Sequence, residues 1–507
     1  MDASQRIILN TIAQYGKSII NILLSLYSTR LVLEALNVND YGIYSVVGGV
    51  IGVLGYLANS LVVTTQRFLS FHQGGSDKAT IKILFSNSLL LHLLIGGITC
   101  LILIAIENYV VNEFLNIEHH RLIAASNVYW ATVVMFFITI ITSPFKALLI
   151  AHENIIYISV IEVIDGLLKV ALAFALFHID QDRLSSYAVG MSAVLLFNLA
   201  TFVFYCFKKY EESHIQFHRS TIQRTYLKQL LSFAGWTTYG MTASMCQTQG
   251  LSIVFNKFFG TAINAAYGIG MQVNGAVRFV STSILNAMNP QIMKAEGNGN
   301  RSLMLGLAAK ESKFSTALML IISLPIIIEM PNILGFWLTT TPPHAILFCR
   351  ALLIAFLVDQ LTLGLHTANQ AIGQIKIYSI LMFTPKMLIV PIAWGALKFG
   401  INIEKVMWVY VGIELIISLA RLPFLKATAQ LPVIPFIKQV ILSQFPIALG
   451  ELLVCMMIVN VFDFKFRFLF SIALSIIVGG LCMLFFTLGK DEKAYLKKVL
   501  NHKIKRG

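Results

Sequence analysis

Long apolar stretches separated by short polar connections run along almost the whole chain. Each stretch approaches the twenty or so residues that an α-helix needs to cross the hydrocarbon core of a bilayer. This pattern predicts an all-α, polytopic integral membrane protein with about 14 transmembrane helices. The approximate limits of the fourteen segments are 10–35, 41–63, 83–106, 123–142, 155–177, 185–207, 231–255, 263–285, 309–330, 345–366, 377–398, 406–425, 440–460 and 467–488.

The distribution of Lys and Arg predicts the orientation, because cytoplasmic loops carry an excess of both. If both termini are cytoplasmic, the inner loops and tails hold most of the Lys and Arg outside the segments. We therefore expect both termini in the cytoplasm, which requires an even number of spans. The basic tail 489–507 is expected to be solvated against anionic lipid headgroups.

A weak internal repeat divides the chain. The second and eighth segments begin with NDYGIYSVVGGV and NAAYGIGMQVNG, which share Tyr-Gly-Ile from Tyr41 and Tyr267. The eighth segment comes six segments after the second, and an even offset gives both the same orientation in the membrane. The repeat is therefore parallel, with halves related by an axis along the membrane normal. The prediction is a pair of pseudo-symmetric six-helix lobes (1–207 and 231–430), a cytoplasmic linker (208–230) and an extra helix pair (431–488) before the tail.

A polar stripe follows one face of the eighth segment at steps of three and four residues. Its members are Asn264, Tyr267, Met271, Asn274, Arg278 and Ser281. Facing lipid, Arg278 alone would cost roughly 2.5–3.5 kcal/mol. The stripe is therefore expected to face protein or a water-filled cavity. It either lines a cationic pathway or pairs with neighbouring helices to hold the bundle together.

The first segment carries a second stripe with the same spacing. Its members are Gln14, Lys17, Asn21, Ser25 and Ser28. Lys17 has no acid within a turn on its own helix, which makes it a candidate for a cavity. Arg30 and Glu34 lie four residues apart near the outer end and could neutralise each other. Asp40 lies in the short outer turn that follows.

Other polar groups lie inside the spans. Gln247, in the polar seventh segment, is hard to accommodate in lipid, whereas nearby Ser and Thr can bond to their own helix. In the fifth segment, Asp165 and Lys169 could form a structural pair, and Glu162 could relay a proton or another ion. Three single acids are assigned no role beyond partners on other helices: Asp359, Glu414 and Glu451.

Composition supports the membrane class. The 507 residues are 57% hydrophobic and 12% charged, against about 25% charged in soluble proteins. In a soluble protein, the net charge of +14 would suggest binding to nucleic acid. Here the distribution of the charge follows the predicted membrane topology, so no nucleic-acid partner is expected. The cysteines show no CxxC or Cys/His cluster, and no catalytic motif or paired carboxylates appear. We expect no enzyme activity, metal or cofactor, and the polar start shows no cleavable signal.

Four stretches carry a resemblance to a known family. They are LVLEALNVNDYGIYSVV, SPFKALLIAHENIIYISVIEVIDGLLKV, FFGTAINAAYGIGMQVNGAVRFVSTSILNAMNPQI and ILGFWLTTTPPHA. In this order, within a fourteen-segment layout, they resemble the polysaccharide-exporter branch (Wzx-like O-antigen flippases) of the multidrug/oligosaccharidyl-lipid/polysaccharide (MOP) flippase superfamily. The resemblance covers nearly the whole chain and extends to the related lipid II flippases.

The resemblance implies two lobes that rock around a central cavity in the bacterial inner membrane. The implied substrate is a polyprenyl-pyrophosphate-linked oligosaccharide for cell-surface polysaccharide such as lipopolysaccharide, with other polysaccharide-assembly proteins as potential partners. Lipid II flippases use arginines on the first and eighth spans and an acid after the first. Arg278 and Asp40 are similar to two of these, whereas Lys17 and Arg30 do not sit clearly in the first-span pattern.

Two other functions make different predictions for the sequence. A multidrug antiporter of the same superfamily predicts an acidic cavity and usually twelve spans, whereas the two main stripes hold Lys17 and Arg278 and no acid. A membrane-embedded glycan polymerase or ligase predicts a large outer loop, which the sequence lacks. Lys and Arg suit a pyrophosphate, and the amides and hydroxyls suit sugars, so the sequence favours a flippase.

Overall fold

Backbone polar groups must find partners inside the chain when no water is present, which makes helices the natural form of these apolar segments. The structure is a computed structural model that describes residues 3–52, 54–75, 78–115, 117–214, 221–338, 341–464, 466–489 and 492–493. Those residues form helices and connecting turns, with no β-strand among them. The predicted tail 489–507 lies almost entirely outside the described residues.

The α-helices match the apolar pattern, since every predicted segment falls largely on helix. Their bounds are α1 Ala3–Gly52, α2 Gly55–Gly75, α3 Lys78–Tyr109, α4 Leu122–Ala151, α5 Ile155–Ala175, α6 Arg183–Lys209, α7 Arg224–Phe259, α8 Thr261–Gly297, α9 Arg301–Ile328, α10 Met330–Trp337, α11 Ala345–Gln360, α12 Leu363–Ile372, α13 Ile375–Lys398, α14 Ile403–Ala429, α15 Val433–Phe436, α16 Phe445–Val461 and α17 Arg467–Cys482. Short 3-10 and π-helical turns extend or join several of them.

Two local conformations separate predicted segments. Asn37 interrupts α1 with φ 63° and ψ 167°, between the first and second segments, in a backbone conformation that residues other than glycine rarely adopt. Gly260, with φ 80°, separates α7 from α8. A side chain at Gly260 would be strained, so glycine fits this turn.

Nine helices in the described ranges are long and apolar enough to cross a membrane, or ten if the bent pair α11–α12 forms one span. The four remaining predicted spans correspond to the second, fifth, seventh and eighth segments. The fifth is excluded because its 21 residues contain Glu162, Asp165 and Lys169. The second is divided between α1 and α2. The count of fourteen therefore remains a prediction for these four.

The chain divides into two compact units. Unit 1 comprises the described residues of Met1–Thr242 and Asn286–Asn300, and unit 2 those of Ala243–Leu285 and Arg301–Gly507. The division falls within α7 and within α8, whereas the predicted lobes follow the sequence repeat. This grouping by contacts does not test the symmetry, so the lobes remain a prediction.

In unit 1, α4 is the central helix and packs against α2, α3 and α6, while α1 packs against α5. The fully buried Tyr129 donates its hydroxyl hydrogen to the Leu103 carbonyl at 2.7 Å. In unit 2, α9 contacts α11, α12, α16 and α17. An aromatic cluster of Phe255, Tyr267 and Phe348 forms part of its core, with ring centroids 5.2–5.4 Å apart.

The last residues of α8 are held tightly within unit 1. Glu153, in the turn between α4 and α5, accepts hydrogen bonds from Gln291 at 2.7 Å and Lys294 at 2.6 Å. At the end of α2, the backbone packs directly on Gly297. A methyl group on Gly297 would overlap the Phe71 carbonyl oxygen, so this contact requires glycine. We call residues 286–297 the foot of α8.

Candidate functional site

A carboxylate in unit 1 holds two lysines. Lys17 of α1 and Lys146 of α4 each place Nζ 2.6 Å from a different oxygen of Glu162 on α5. The side chains of Lys17 and Glu162 are 13% and 27% exposed, and that of Lys146 is 38% exposed. Three helices thus bring two positive charges to one negative charge. We call Lys17, Lys146 and Glu162 the lysine cluster.

The lysine cluster changes the interpretation of Lys17. The sequence shows no acid near Lys17 on α1, but the fold supplies Glu162 from α5. One positive charge remains in excess over these three side chains. Such a cluster can attract an anion, because each ammonium group has three donors and gives one to Glu162.

Neighbouring polar residues continue along the same helices. Gly166 lets α1 approach α5, because a methyl group there would lie 2.9 Å from Leu24 Cδ1 and 3.2 Å from Asn21 Oδ1. Asn21 Oδ1 is buried and accepts no hydrogen bond from a described residue. Gln14, one helical turn before Ser18, is also buried, and its carbonyl accepts the Ser18 hydroxyl at 2.7 Å.

The pair expected in the fifth segment is present. Lys169 Nζ lies 2.7 Å from Asp165 Oδ2, and Asn198 of α6 donates to Asp165 Oδ1 at 2.7 Å. The bonds satisfy Asp165 through both its own helix and α6. Whether these residues take part in ion coupling remains a prediction.

The outer-end candidates of α1 differ from each other. Arg30 and Glu34 are both exposed and form no ion pair with each other in the described structure, and a substrate role for Arg30 remains a prediction. Asp40 instead accepts two hydrogen bonds from Arg121, at 2.9 and 2.6 Å. Arg121 also pairs with Asp182 at 2.8 Å. Any substrate role for Asp40 would require it to give up its hydrogen bonds with Arg121.

In unit 2, most of the α8 stripe faces the interior. Asn264 accepts the Ser252 hydroxyl at 2.6 Å, and Ser281 bonds to Ser315 of α9 and Gln360 of α11. Asn264 and Ser281 are the first and last residues of the stripe, and both fit the interpretation in which the stripe pairs with neighbouring helices. Asn274 is also buried, but its Oδ1 accepts no hydrogen bond from a described residue.

Arg278 is the exception in the stripe. Its side chain is exposed, and its guanidinium lies over the Phe356 ring with its central carbon 5.0 Å from the centroid. In the part of the chain that the structure describes, no carboxylate forms a salt bridge with it. Stacking on an aromatic face holds a guanidinium in place while leaving its donors free.

Gln247 belongs to a charge-neutral group. Its amide donates to Glu414 Oε1 at 2.8 Å, and Lys386 lies 3.1 Å from the other carboxyl oxygen. Glu414 is 5% exposed, so the acid is buried and compensated. This finding gives Glu414 and Gln247 partners that sequence spacing alone could not identify.

A broken helix in the tenth segment carries another buried pair. α11 and α12 are bent by 49° relative to each other. At the break, Arg421 of α14 donates to Asp359 Oδ1 at 2.7 Å and to the Asp359 carbonyl at 3.3 Å. Ser418 donates to the Val358 carbonyl at 2.8 Å. α14 thereby bonds to backbone groups at the end of α11.

Two of these features escaped sequence reasoning. The predicted fourth segment ends at 142, which left Lys146 in an inner loop, whereas α4 continues to Ala151. Asp359 and Arg421 were never linked, because they lie in the tenth and twelfth segments and sequence spacing does not show that α11 and α14 pack together. Among the described residues, no group of three or more His, Cys, Asp or Glu side chains is arranged to hold a metal.

The chain is similar to known proteins in structure, while the two sequence comparisons find no match. No protein-family model and no curated protein sequence matches the chain. Among solved structures, a multidrug resistance MATE family transporter of the MOP superfamily in an outward-facing conformation matches with a TM-score of 0.72 and 15% identity, covering 86% of this chain and 97% of that one.

A MOP superfamily transporter from Pyrococcus furiosus, described as having a binding pocket of reverse polarity, matches with a TM-score of 0.70 and 14% identity over 86% of this chain and 97% of that one. A MATE protein in complex with MaD3S matches with a TM-score of 0.72 and 14% identity, covering 86% and 98%. The predicted all-α, polytopic membrane fold is confirmed. This chain has the fold of MOP superfamily transporters.

Proposed function

We propose that the protein is a flippase that moves a polyprenyl-pyrophosphate-linked oligosaccharide across the bacterial cytoplasmic membrane by alternating access, for cell-surface polysaccharide synthesis. Both termini lie in the cytoplasm in this proposal. The fold supports a transporter, and the four sequence stretches support the polysaccharide branch. The observation that carries the choice of an anionic substrate is the excess positive charge of the lysine cluster.

The chemistry of the two units fits such a substrate. A pyrophosphate bonds strongly to ammonium and guanidinium donors, and it loses water when it enters a protein site. The lysine cluster offers spare ammonium donors. Arg278 offers a guanidinium group that forms no salt bridge with a described acid. The buried acids Asp359 and Glu414 each have a base, so they do not offer free negative charge to an organic cation.

Binding would act on Glu162 as well. An anion that takes hydrogen bonds from Lys17 and Lys146 competes with the carboxylate that holds them. Glu162 would then be less compensated in the loaded state than in the empty state. This competition gives the protein a means to couple the substrate to a proton or another cation.

The test removes the two lysines in cells that depend on this protein for surface glycan. Lys17→Ala combined with Lys146→Ala should abolish export while the amount of protein in the membrane is unchanged. Each lost charged contact is expected to weaken binding by about ten- to a hundredfold. Lys209→Ala is the matched control, because Lys209 is exposed on α6 and bonds only to Tyr205 at 2.8 Å in the described structure.

A multidrug or organic-ion antiporter is the second candidate, favoured by the MATE proteins among the matching structures. In that case the protein should lower the accumulation of a cationic dye in intact cells, and Glu162→Gln should remove the effect. Dye efflux together with normal glycan export by the double-lysine variant would overturn the flippase proposal.

A further inference from the structure

Glu451 is a fully buried acid in the C-terminal helix pair, with a relative exposure of 0%. It lies on α16 against Gly479 of α17 and Ile321 of α9, and a methyl group on Gly479 would overlap its Oε1. Neither carboxyl oxygen makes a hydrogen bond, and no base pairs with it, within the described part of the chain. The lysine cluster and the broken helix both neutralise their acids, whereas this site does not.

An ionised carboxylate in such surroundings is strongly unfavourable. Burial removes its water and no cation of the described chain replaces that water; the polar side chain that acts on it is Ser475 of α17. The group therefore persists most easily in its neutral form, with a proton bound. A bound proton takes part in function only when a polar route joins it to water.

One face of α17 places polar groups between Glu451 and the start of the helix. Residues at intervals of four line this face: Arg467, Ser471, Ser475 and Gly479. At its start, Glu329 accepts from Arg467 at 3.0 Å and from Ser471 at 2.8 Å. Further along, Ser475 Oγ lies 3.3 Å from Cys455 Sγ. The row covers about 18 Å at 1.5 Å per residue and starts at the end of α17 that follows a predicted outer connection.

The groups facing Glu451 leave it without a counter-charge. On α16 the titratable neighbour is Cys455, and on α17 it is Cys482. From α9 it contacts the apolar Ile321. Glu329, beyond the end of α9, is bound to Arg467 at the start of the row.

We propose that Glu451 is a proton-binding site that exchanges its proton with the outer side of the membrane along this row of α17. The proposal goes beyond the flippase function and holds whichever solute the protein moves. Release of the proton would leave a charge between α16, α17 and α9, which favours a small separation of these helices. The site would therefore link outer pH to the packing of the C-terminal pair.

Dicyclohexylcarbodiimide tests this directly on the full-length protein in right-side-out membrane vesicles. It adds to a protonated carboxyl group. The proton passes to a carbodiimide nitrogen, the carboxyl oxygen bonds to the central carbon, and rearrangement leaves an N-acylurea with nothing released. We expect an adduct at Glu451, found by peptide mass spectrometry, that decreases severalfold as outer pH is raised from about 5 to about 9.

Two controls sharpen the result. Glu414, buried but paired with Lys386 at 3.1 Å, should stay unlabelled, and Glu451→Gln should lose the adduct while keeping its shape. Ser475→Ala should slow the response to outer pH. Absence of an adduct at every pH, labelling independent of pH, or labelling that follows inner pH would each overturn the proposal.

Discussion

At the residue scale, the lysine cluster shows how membrane helices carry charge without presenting it to lipid. Lys17 and Lys146 reach Glu162 from two different helices, so each charge finds its partner across an interface. Arg278 solves the same problem differently, by stacking on Phe356. No carboxylate in the described residues forms a salt bridge with Arg278, so its donors remain available to a ligand.

Arg278 is therefore the sharpest single test of the flippase proposal. Arg278→Ala should abolish glycan export without lowering the amount of protein in the membrane, and Arg278→Lys should retain part of the activity because a point charge replaces a fork. Export and membrane abundance are measured in the same cells. Thr282→Ala, one turn further on and bonded to the Arg278 carbonyl at 3.1 Å, should export normally. Normal export by Arg278→Ala would remove Arg278 from the mechanism.

The sequence was sufficient to identify polar residues that recur along one helix, but not the partners that another helix supplies. The spacing on α8 correctly indicated that the stripe would turn largely inward, since burial of Asn274 and Ser281 follows from helical geometry. The partner of Lys17 could not be derived, because it lies 145 residues away. Lys146 was missed because the fourth segment was placed at 123–142, whereas α4 continues through Pro144 to Ala151; membrane helices accommodate internal proline.

At the scale of elements, the break between α11 and α12 depends on α14. Arg421 is 5% exposed and bonds to both the side chain and the carbonyl of Asp359. If Arg421 is removed, Asp359 remains buried with its charge uncompensated. The broken helix is thus stable only as a unit with α14.

We expect Arg421→Leu to lower the free energy of unfolding by about 3–5 kcal/mol, the usual cost of removing one member of a buried ion pair. Thermal unfolding of the purified protein in detergent measures the loss. Combining it with Asp359→Asn should recover much of that loss, because no charge then remains. Lys426→Ala, an exposed cation on the same helix, should change little. If Arg421→Leu unfolds like the unaltered protein, the pair does not support the break.

Element boundaries were predictable where composition changed and unpredictable where helices continued beyond the apolar segments. The seventh and eighth segments were placed at 231–255 and 263–285, whereas α7 and α8 begin earlier or end later than those limits. Polar residues at their ends suggested loops, but contacts such as Glu153 with Lys294 keep the foot of α8 helical. The bend at α11–α12 left no mark in hydropathy.

At the scale of the whole molecule, orientation in the membrane is the main open prediction. A reporter fused after Gly507 should be active only in the cytoplasm, and one inserted at Ile117 only outside, because Lys and Arg concentrate on the predicted inner loops. Paired reporters for the two compartments measure this. Activity on the same side for both positions would refute the fourteen-span topology.

The length of α8 has a mechanical consequence. Its 37 residues would extend about 55 Å if straight, more than the roughly 40–45 Å of a bilayer with its headgroups. If the eighth segment spans the membrane as the sequence predicts, α8 reaches out of the lipid and can act as a lever. A swing of about ten degrees pivoting at Arg278 would carry Gly297 roughly 5 Å sideways. Gly297 has no clearance against Phe71, so a swing of that size must either unseat the foot or bend the lever at Pro290.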